Sequence, residues 1–255
     1  MTISVITTVY NEADNIEGFM LSVLSQTWTP DEIVVVDGGS TDGTAEILRR
    51  YKGVRVHVEK FCNIRHHSSP VALGRNMAIR YAVGDIIAVT DAGCVLHPRW
   101  LAKITRPIVF GGIDVCGGLT SVIGKSYIPE PEYRDLLNAS SRSLAFTREI
   151  WNRAGGYPEV VLTAEDTLFN QRLQSIGARY EYRPDAIVFW YPPNTFSAVL
   201  KQQYRYAKGD AVCGLRREFY VKKTLRALLP LPTIAYTVNV ARAAGYWAGR
   251  IKGKW

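Results

Sequence analysis

Acidic and aromatic side chains follow three predicted strands, at the points where the apolar runs end. Tyr10 and Glu12 follow the run ISVITTV, Asp37 follows IVVV, and Asp91 follows IIAVT. Because the carboxyl ends of parallel strands meet at one edge of an open α/β sheet, we expect these side chains to line one cleft. Carboxylates at such an edge suit ribose hydroxyls, a base or a divalent cation. Each acid alone is equally compatible with a turn or helix cap, so only their joint placement points to a ligand.

A second group of acids, Glu165 and Asp166, opens a predicted helix and follows the glycine pair Gly155-Gly156. A carboxylate at a helix start, behind a loop that contains two glycines, can take a proton from an acceptor hydroxyl. The alternative is that both acids complement the positive end of the helix dipole. From the residues alone, both interpretations stay open for Glu165 and for Asp166.

The segments that carry these residues alternate between strand and helix patterns. Short β-rich runs predict strands at 3–9, 33–36, 54–58 and 86–89, and apolar spacings of three and four residues predict helices between them. This βαβ spacing implies an α/β fold of Rossmann-like type. It has a mostly parallel central sheet, right-handed crossovers and flanking helices.

The pattern changes after residue 95. Helices are predicted at 100–110, 149–154 and 165–176, and strands at 114–123 and 179–188, the last interrupted at Pro184. The sequence contains no evident linker or internal repeat. We therefore expect one domain of two fused halves, the first for a nucleotide and the second for another substrate.

The net charge of +8 is located near the end of the 255-residue chain. Residues 201–255 hold twelve Lys and Arg against two acidic residues, whereas residues 1–200 hold nineteen against twenty-one. A basic, aromatic and helical segment of this kind is attracted to anionic lipid or nucleic acid. Its longest uncharged run, 227–241, contains two prolines and is too short to span a membrane. We expect contact with an anionic membrane surface and no nucleic acid; the alternative is a helical hairpin packed on the sheet.

Missing motifs argue against several classes of protein. No Gly-x-Gly-x-x-Gly follows the first strand, which argues against a dinucleotide-binding dehydrogenase, and no Gly-Lys-Ser/Thr loop exists, which excludes a P-loop NTPase. The four cysteines lie too far apart in sequence for a zinc knuckle or a redox pair. The first residues enter a strand directly, so we expect no signal peptide and a reducing, cytoplasmic location.

Motifs spread over residues 1–210 resemble those of the family 2 glycosyltransferases, in the family's order. The matching segments are Val5–Glu12, Val34–Asp42, Gly74–Ile79, Thr90–Cys94, Gly155–Tyr157 and Glu165-Asp166. The resemblance implies a GT-A fold, a nucleotide-sugar donor and inversion at the anomeric carbon. It further implies a nucleotide-binding half at 1–95 and an acceptor and catalytic half at 96–210, followed by the basic helical segment at 211–255.

The resemblance also implies roles for individual residues. The residues expected to bind the nucleotide-sugar are Thr8, Tyr10, Glu12, Asp37, Arg75 and Asp91, with Asp37 toward the base. The catalytic pair is Glu165 and Asp166, with Asp166 as the base that takes the acceptor proton. The residues expected at the acceptor or diphosphate are Gly156, Tyr157, Trp190, Gln202, Arg205 and Tyr206. The last three resemble the Gln-x-x-Arg-Trp motif of processive synthases, but the chain has no long transmembrane channel domain, and we infer no processive synthesis.

The sequence departs from the family pattern at the metal site. Asp91 corresponds to the first acid of the Asp-x-Asp motif, and Gly93 stands in the place of the second acid, which is normally the direct metal ligand. The family often has a metal-binding histidine in the region that here includes Trp190, and no histidine lies there. Mg²⁺ or Mn²⁺ bound to Asp91 would therefore lack ligands, and we expect weak or absent metal dependence. Arg75, Arg205 or Lys208 would then balance the leaving diphosphate.

These observations predict an inverting glycosyltransferase that moves a sugar to an acceptor hydroxyl in polysaccharide, glycolipid or cell-envelope glycan synthesis. A lipid-linked or membrane-proximal acceptor is expected because the basic tail would hold the enzyme at the inner face of the membrane. Two alternatives remain. A sugar nucleotidyltransferase would need a glycine-rich, basic activation loop near the start, which is missing. A non-catalytic binding protein would lose its main activity on deletion of residues 211–255.

Overall fold

The computed structural model describes residues 1–63, 69–123, 135–192, 195–227 and 234–252. These residues form two compact units. The first unit holds all eight strands of a single sheet, and the second holds the last three helices.

The strands of the first unit are β1 (Ile3–Val9), β2 (Glu32–Asp37), β3 (Val54–Val58), β4 (Ile86–Val89), β5 (Cys94–Leu96), β6 (Val115–Val122), β7 (Leu144–Thr147) and β8 (Tyr180–Trp190). Its helices are α1 (Ala13–Leu24), α2 (Thr44–Leu48), α3 (Pro70–Tyr81), α4 (Trp100–Gly111), α5 (Arg148–Ala154) and α6 (Glu165–Ser175). The helices of the second unit are α7 (Phe196–Val212), α8 (Arg217–Ala227) and α9 (Ile234–Lys252). The predicted helices and strands of the first half are confirmed.

The sheet has the order β3-β2-β1-β4-β7-β6-β8-β5. Strands β1 to β4 run parallel to one another, and β6 runs parallel to β8, whereas β7 and β5 pair antiparallel with their neighbours. Strands β1, β2 and β4 are buried on both faces because helices cover both faces, whereas β3, at the edge of the sheet, is partly exposed. Alternate residues enter different cores: Val5 packs with α1 and α4 on one side, and Ile6 packs with α3 and α5 on the other. This layering brings the ends of β1, β2 and β4 to one edge.

The sequence analysis did not predict strands β5 and β7, or the extension of β8 to Trp190. The short strand β7 inserts between β4 and β6, and β5 pairs with β8 at the end of the sheet. Strand β8 continues through Pro184 to Trp190, and the predicted interruption is found in its pairing with β6. A register shift between Gly118 and Leu119 on the partner strand leaves Pro184 in a bulge, where its missing N–H removes no ladder bond.

The second unit is built on close packing of α9 against α7. A Cβ at Gly249 would lie 2.6 Å from the carbonyl oxygen of Lys208, so only glycine permits this approach of the two helices. Asp210 is buried there and accepts a hydrogen bond of 2.7 Å from the hydroxyl of Tyr220. Helix α7 therefore packs with α8 and α9 in one unit. The boundary predicted at residue 210 falls inside α7. In the described ranges, no helix combines the length and apolar character needed to cross a membrane.

Candidate active site

Arg75 is the buried centre of the site. Its side chain is only 4% exposed and contacts three carboxylates that lie far apart in sequence. Nη2 lies 2.8 Å from Asp91 Oδ1, and Nη1 lies 3.0 Å from Glu165 Oε1 and 2.9 Å from Asp166 Oδ1. Burial alone would lower the pKa of Arg75, but the charges of the three acids outweigh burial and raise that pKa well above its usual range. The guanidinium is therefore permanently charged and joins the end of β4 to the start of α6.

Helix α3 positions Arg75 through two neighbouring residues. A Cβ at Gly74 would lie 2.8 Å from Thr8 Cγ2, so glycine lets α3 lie directly on β1. The amide of Asn76 donates to the carbonyl oxygen of Tyr157 at 2.8 Å and accepts from the Tyr157 N–H at 2.9 Å. These contacts fix α3 against both the first strand and the loop after α5. The Gly-Arg-Asn sequence thus has a packing residue on each side of the charged one.

Asp91 receives a second arginine on its other carboxylate oxygen. Nε of Arg142 lies 3.5 Å from Oδ2, and the Arg142 guanidinium stacks 4.3 Å above the Trp190 ring. Burial alone would raise the pKa of Asp91, but Arg75 and Arg142 together lower it. The pairing of β5 with β8 brings Trp190 close to Asp91. Trp190 pairs with Cys94, and Cys94 follows Asp91 by three residues.

Asp166 is held by the strand-loop residue Ser141 as well as by Arg75. The Ser141 hydroxyl donates to Oδ1 at 2.6 Å, and the Ser141 N–H donates to Oδ2 at 3.2 Å. The Tyr157 hydroxyl lies 2.8 Å from the same serine oxygen. Oδ1 therefore has two close partners that fix the carboxylate plane. Oδ2 has a longer contact, and the side chain remains 26% exposed.

Glu165 has a different electrostatic environment from its neighbour. Its side chain is 14% exposed, and it contacts Arg75 but sits beside the charge of Asp166. Burial and the Asp166 carboxylate raise the pKa of Glu165 to about 7, against the opposing effect of Arg75. Glu165 thus changes charge near neutral pH.

The loops after β1 and β2 lie side by side. The N–H of Glu12 donates to Thr44 Oγ1 at 2.9 Å, and the N–H of Asn11 donates to Ser40 Oγ at 2.9 Å. Burial raises the pKa of Glu12, with a smaller contribution from the negative charge of Asp91. Glu12 at the end of β1 therefore lies within electrostatic range of Asp91 at the end of β4. Thr8 and Tyr10, also expected at the nucleotide-sugar, are half-buried at the end of β1.

Asp37 is fully buried at the end of β2. Its Oδ1 accepts hydrogen bonds from the N–H groups of Gly39 and Ser40 at 3.1 and 2.9 Å, and from the Ser40 hydroxyl at 2.7 Å. Oδ2 is buried without a hydrogen-bond partner among the described residues. A buried carboxylate oxygen of this kind is a strong acceptor for a ligand N–H or O–H.

The glycine pair and Tyr157 lie in the loop beside Asp166. Gly156 is buried against Asn76 and Trp151, and Tyr157 is 1% exposed with its ring centroid 4.1 Å from that of Phe169. The Tyr157 ring therefore belongs to the core. Its connection to the site is the hydroxyl that contacts Ser141.

The remaining predicted residues lie on α7 in the second unit. Arg205 and Tyr206 follow Gln202 by three and four residues, so both lie on the same side of that helix as Gln202. Arg205 is exposed, and Tyr206 is 38% exposed.

The donor set for a metal ion is poor. In the described part of the chain, no group of three or more His, Cys, Asp or Glu side chains is placed to hold a cation. Each oxygen of Asp91 faces an arginine, whose positive charge opposes a cation there. The residues present therefore do not fit a tightly bound divalent ion.

Comparison with known proteins agrees with this geometry. The model of the family described as Glycosyl transferase family 2 matches residues 4–170. The chain belongs to this family. Among curated relatives, Glycosyltransferase AglE of Haloferax volcanii is 30% identical over 223 residues, which cover 82% of this chain and 72% of AglE. Poly-beta-1,6-N-acetyl-D-glucosamine synthase of Staphylococcus aureus is 26% identical over 243 residues, and the match spans 85% of this chain but only 56% of the synthase.

Solved structures show the same fold. The mannosyltransferase PcManGT from Pyrobaculum calidifontis, in complex with GDP-Man and Mn²⁺, has a TM-score of 0.65 at 23% identity and covers 98% of this chain and 73% of its own. The GT-A fold and the glycosyltransferase class predicted from the sequence are confirmed for this family 2 member.

Ser141 and Arg142 were missed by the sequence analysis. Both lie just before β7, a strand too short to give a periodic signal. Their partners Asp166 and Asp91 are distant in sequence, so no local pattern connects them. The one available signal was Arg142 itself, the single charged residue in the segment ASSRSLAF, which continues into the buried strand β7.

Proposed function

We propose that this family 2 enzyme transfers a sugar, with inversion, from a nucleoside diphosphate donor to an acceptor hydroxyl, with Asp166 as the base. The observation that carries the proposal is the shared contact of Arg75 with Asp91 and Asp166. This contact joins Asp91, at the edge of the sheet proposed for the nucleotide, to Asp166 at the start of α6. A donor bound along the edge would thus place its anomeric carbon near the base.

The geometry favours Asp166 over Glu165 for proton transfer. Asp166 is the more exposed of the two, and Ser141 and Arg75 fix its orientation through Oδ1. Oδ2 is the oxygen with the weaker contact and is the one proposed to accept the proton. As the acceptor oxygen forms its bond to the anomeric carbon, the bond to the diphosphate oxygen breaks and that oxygen takes the electron pair.

The nucleoside is proposed to lie against β1 and β2. Asp37 Oδ2 needs a donor that the described residues do not supply, and a base N–H would satisfy it. Tyr10, Glu12 and Thr8 would form the wall beside it. A thermal-shift screen of UDP-, GDP- and dTDP-sugars, with the Asp37→Asn variant beside wild type, tests this placement. Equal shifts in both proteins would contradict it.

The catalytic assignment is tested by Asp166→Asn. We expect loss of transfer of about 10²-fold or more with unchanged donor binding, because a general base contributes on this order. Asp14→Asn, on exposed α1 surface, is the control and should behave as wild type. Undiminished turnover of Asp166→Asn would overturn the assignment.

The acceptor is proposed to lie at an anionic membrane surface, which the second unit would contact. Exposed apolar side chains occur there beside lysines and arginines: Leu225 is 60% exposed, Trp247 40% and Ile251 82%. Lys223 and Arg242 both lie over the ring of Phe219. Positive charge combined with exposed apolar side chains fits the headgroup region of an anionic bilayer. Gln202, Arg205 and Tyr206 on α7 would then meet the acceptor or the diphosphate.

Membrane contact is tested by co-sedimentation with phosphatidylcholine vesicles that contain or lack phosphatidylglycerol. Binding to the anionic vesicles only, and its loss in Leu225→Ser/Ile251→Ser, is expected. Phe110→Ser, which removes a side chain 73% exposed on the first unit, is the control. Point substitutions are preferred to deletion of residues 211–255, because deletion would remove α9 from its packing on α7. Equal binding to both vesicles, or by the variant, would contradict this proposal.

A further inference from the structure

Two buried hydroxyl groups connect the partly exposed side chain of Asp166 to the core of the first unit. Ser141 is fully buried, and its hydroxyl lies 2.6 Å from Asp166 Oδ1. The hydroxyl of Tyr157, which is 1% exposed, lies 2.8 Å from the same serine oxygen. These two hydroxyls, called here the hydroxyl pair, lead from the core to the carboxylate proposed as the base.

The protons of the hydroxyl pair have one arrangement. A carboxylate base is ionised before it takes a proton, and an ionised carboxylate only accepts hydrogen bonds. The single proton of the Ser141 hydroxyl is therefore donated to Asp166 Oδ1, and the serine oxygen accepts the proton of the Tyr157 hydroxyl. Burial raises the pKa of Tyr157, which keeps that hydroxyl protonated at neutral pH. Both donors thus point toward Asp166.

Tyr157 is the fixed end of this arrangement. Its ring centroid lies 4.1 Å from that of Phe169, and Phe169 packs edge-on against Phe146 at 5.4 Å. The amide of Asn76 binds both the N–H and the carbonyl oxygen of Tyr157, at 2.9 and 2.8 Å. Because its ring and its backbone are both held, the Tyr157 hydroxyl has a fixed position. It therefore also fixes the direction in which Ser141 donates.

The hydroxyl pair makes the two oxygens of Asp166 different. Oδ1 accepts from the Ser141 hydroxyl at 2.6 Å and from Arg75 Nη1 at 2.9 Å. Among the described residues, Oδ2 accepts only from the Ser141 N–H, at 3.2 Å. Oδ2 is therefore the oxygen with a lone pair for the acceptor hydroxyl. The direction of that lone pair depends on the carboxylate plane, and a small misplacement of a reacting group slows catalysis strongly.

We propose that Ser141 and Tyr157 are positioning residues for sugar transfer, because their hydroxyl pair holds the plane of the Asp166 carboxylate and leaves Oδ2 for the acceptor proton. This inference rests on the proposed function. The acceptor O–H bond breaks, its proton goes to Oδ2, and the acceptor oxygen forms the bond to the anomeric carbon. The bond from that carbon to the diphosphate oxygen breaks, and the electron pair stays on the diphosphate. Ser141 and Tyr157 lose no proton in this step.

The test measures kcat and the donor KM for sugar transfer to water, followed as nucleoside diphosphate released from the UDP-, GDP- or dTDP-sugar that most stabilises wild type. Ser141→Ala keeps the N–H contact and should lower kcat by about 10-fold or more with the donor KM unchanged, because only the orientation of the base is lost. Tyr157→Phe keeps the ring beneath the Arg75 guanidinium and should lower kcat by about 3-fold or more. Unchanged kcat in Ser141→Ala would overturn the inference.

Two double variants separate positioning from a structural role. Ser141→Ala/Tyr157→Phe should be no slower than Ser141→Ala, because the tyrosine acts through the serine. Ser141→Ala should cause no further loss when added to Asp166→Asn, because the serine acts through that carboxylate. Losses that multiply in either double variant would overturn the inference.

Ser143→Ala is the matched control for loss of a buried hydroxyl. Ser143 is as buried as Ser141, but its hydroxyl accepts from Trp100 Nε1 at 2.9 Å and donates to the Ala186 carbonyl oxygen at 3.2 Å. Its loss should lower the thermal unfolding temperature and keep kcat at temperatures where the variant is folded. Turnover retained by Asp166→Asn would overturn the proposed function itself. Turnover lost in Asp166→Asn but retained in Ser141→Ala would overturn this inference alone.

Discussion

Nη1 of Arg75 lies 2.9 Å from Oδ1 of Asp166, while Nη2 of the same guanidinium lies 2.8 Å from Asp91 Oδ1. One buried cation therefore holds both the end of β4 and the start of α6. The two acids are brought together by a residue of α3, a third element. Any change at Arg75 acts on the proposed donor edge and on the proposed base at once.

Arg75→Met should unfold more easily than wild type by about 3–5 kcal/mol, because it leaves three partly buried carboxylates without the cation that they share. Urea denaturation at pH 7 measures this loss. Arg80→Met is the control on the same helix: Arg80 is 54% exposed and lies 3.8 Å from Glu159, so its loss should change stability by less than about 0.5 kcal/mol. Similar losses in the two variants would show that Arg75 is not a structural centre.

Glu165 should make stability depend on pH in a defined direction. Its pKa of about 7 in the folded protein lies above its ordinary value of 4.5, so the folded state favours the protonated form. Its stabilising contribution is thus fully present below pH 4.5 and is lost as the pH rises through about 7. Glu165→Gln stays neutral and should gain about 1–3 kcal/mol relative to wild type between pH 5 and pH 7.5. Parallel urea-denaturation results at the two pH values would contradict the assignment.

The sequence predicted the parts of the fold that depend on local pattern. Strand β4 was predicted because Ile86 to Val89 is an apolar run, and the structure buries it on both faces. The meeting of Glu12 and Asp91 followed from the rule that parallel strands end at one edge. Each of these inferences needs only a short segment and a general rule.

The second half was harder to predict because its contacts are between distant segments. Strand β7 has four residues and inserts antiparallel between β4 and β6, where no crossover rule applies. Arg142 contacts Asp91 and Trp190, which lie far from it in sequence. The residues next to Arg142 in the chain therefore do not indicate these contacts. Tyr157 was placed at the acceptor by motif position, whereas burial puts its ring in the core.

Arg148 should be one of the main stabilising residues of the first unit. It donates to the carbonyl oxygens of Ile79, Ala82 and Gly84, each at 2.8 Å, and so holds the end of α3 against the start of β4. Arg148→Met leaves these acceptors unsatisfied and should cost about 2–4 kcal/mol in urea denaturation. Arg153→Met is the control, because Arg153 is 53% exposed, reaches Glu149 at 4.0 Å and donates one hydrogen bond of 3.3 Å, to the Ile176 carbonyl oxygen, against three for Arg148. A loss no larger than the control's would refute the role given to Arg148.

Gly155 and Gly156 offer a matched pair of alanine substitutions. Both have φ of +72°, so alanine is strained at either position by about 1–2 kcal/mol. A Cβ at Gly155 would have nothing within 4 Å, whereas a Cβ at Gly156 would lie 2.9 Å from Asn76 Oδ1 and 3.2 Å from Trp151 Cζ2. Gly156→Ala should therefore cost about 1–3 kcal/mol more than Gly155→Ala.

The same pair separates backbone strain from displacement of the site. Asn76 binds the backbone of Tyr157, whose hydroxyl contacts the serine that holds Asp166. Moving Asn76 should therefore lower sugar transfer in Gly156→Ala at temperatures where the variant is still folded, and Gly155→Ala should keep it. Thermal unfolding combined with transfer assays below the transition measures both effects. Equal stability and equal transfer in the two variants would show that the contact with Asn76 does not position the site.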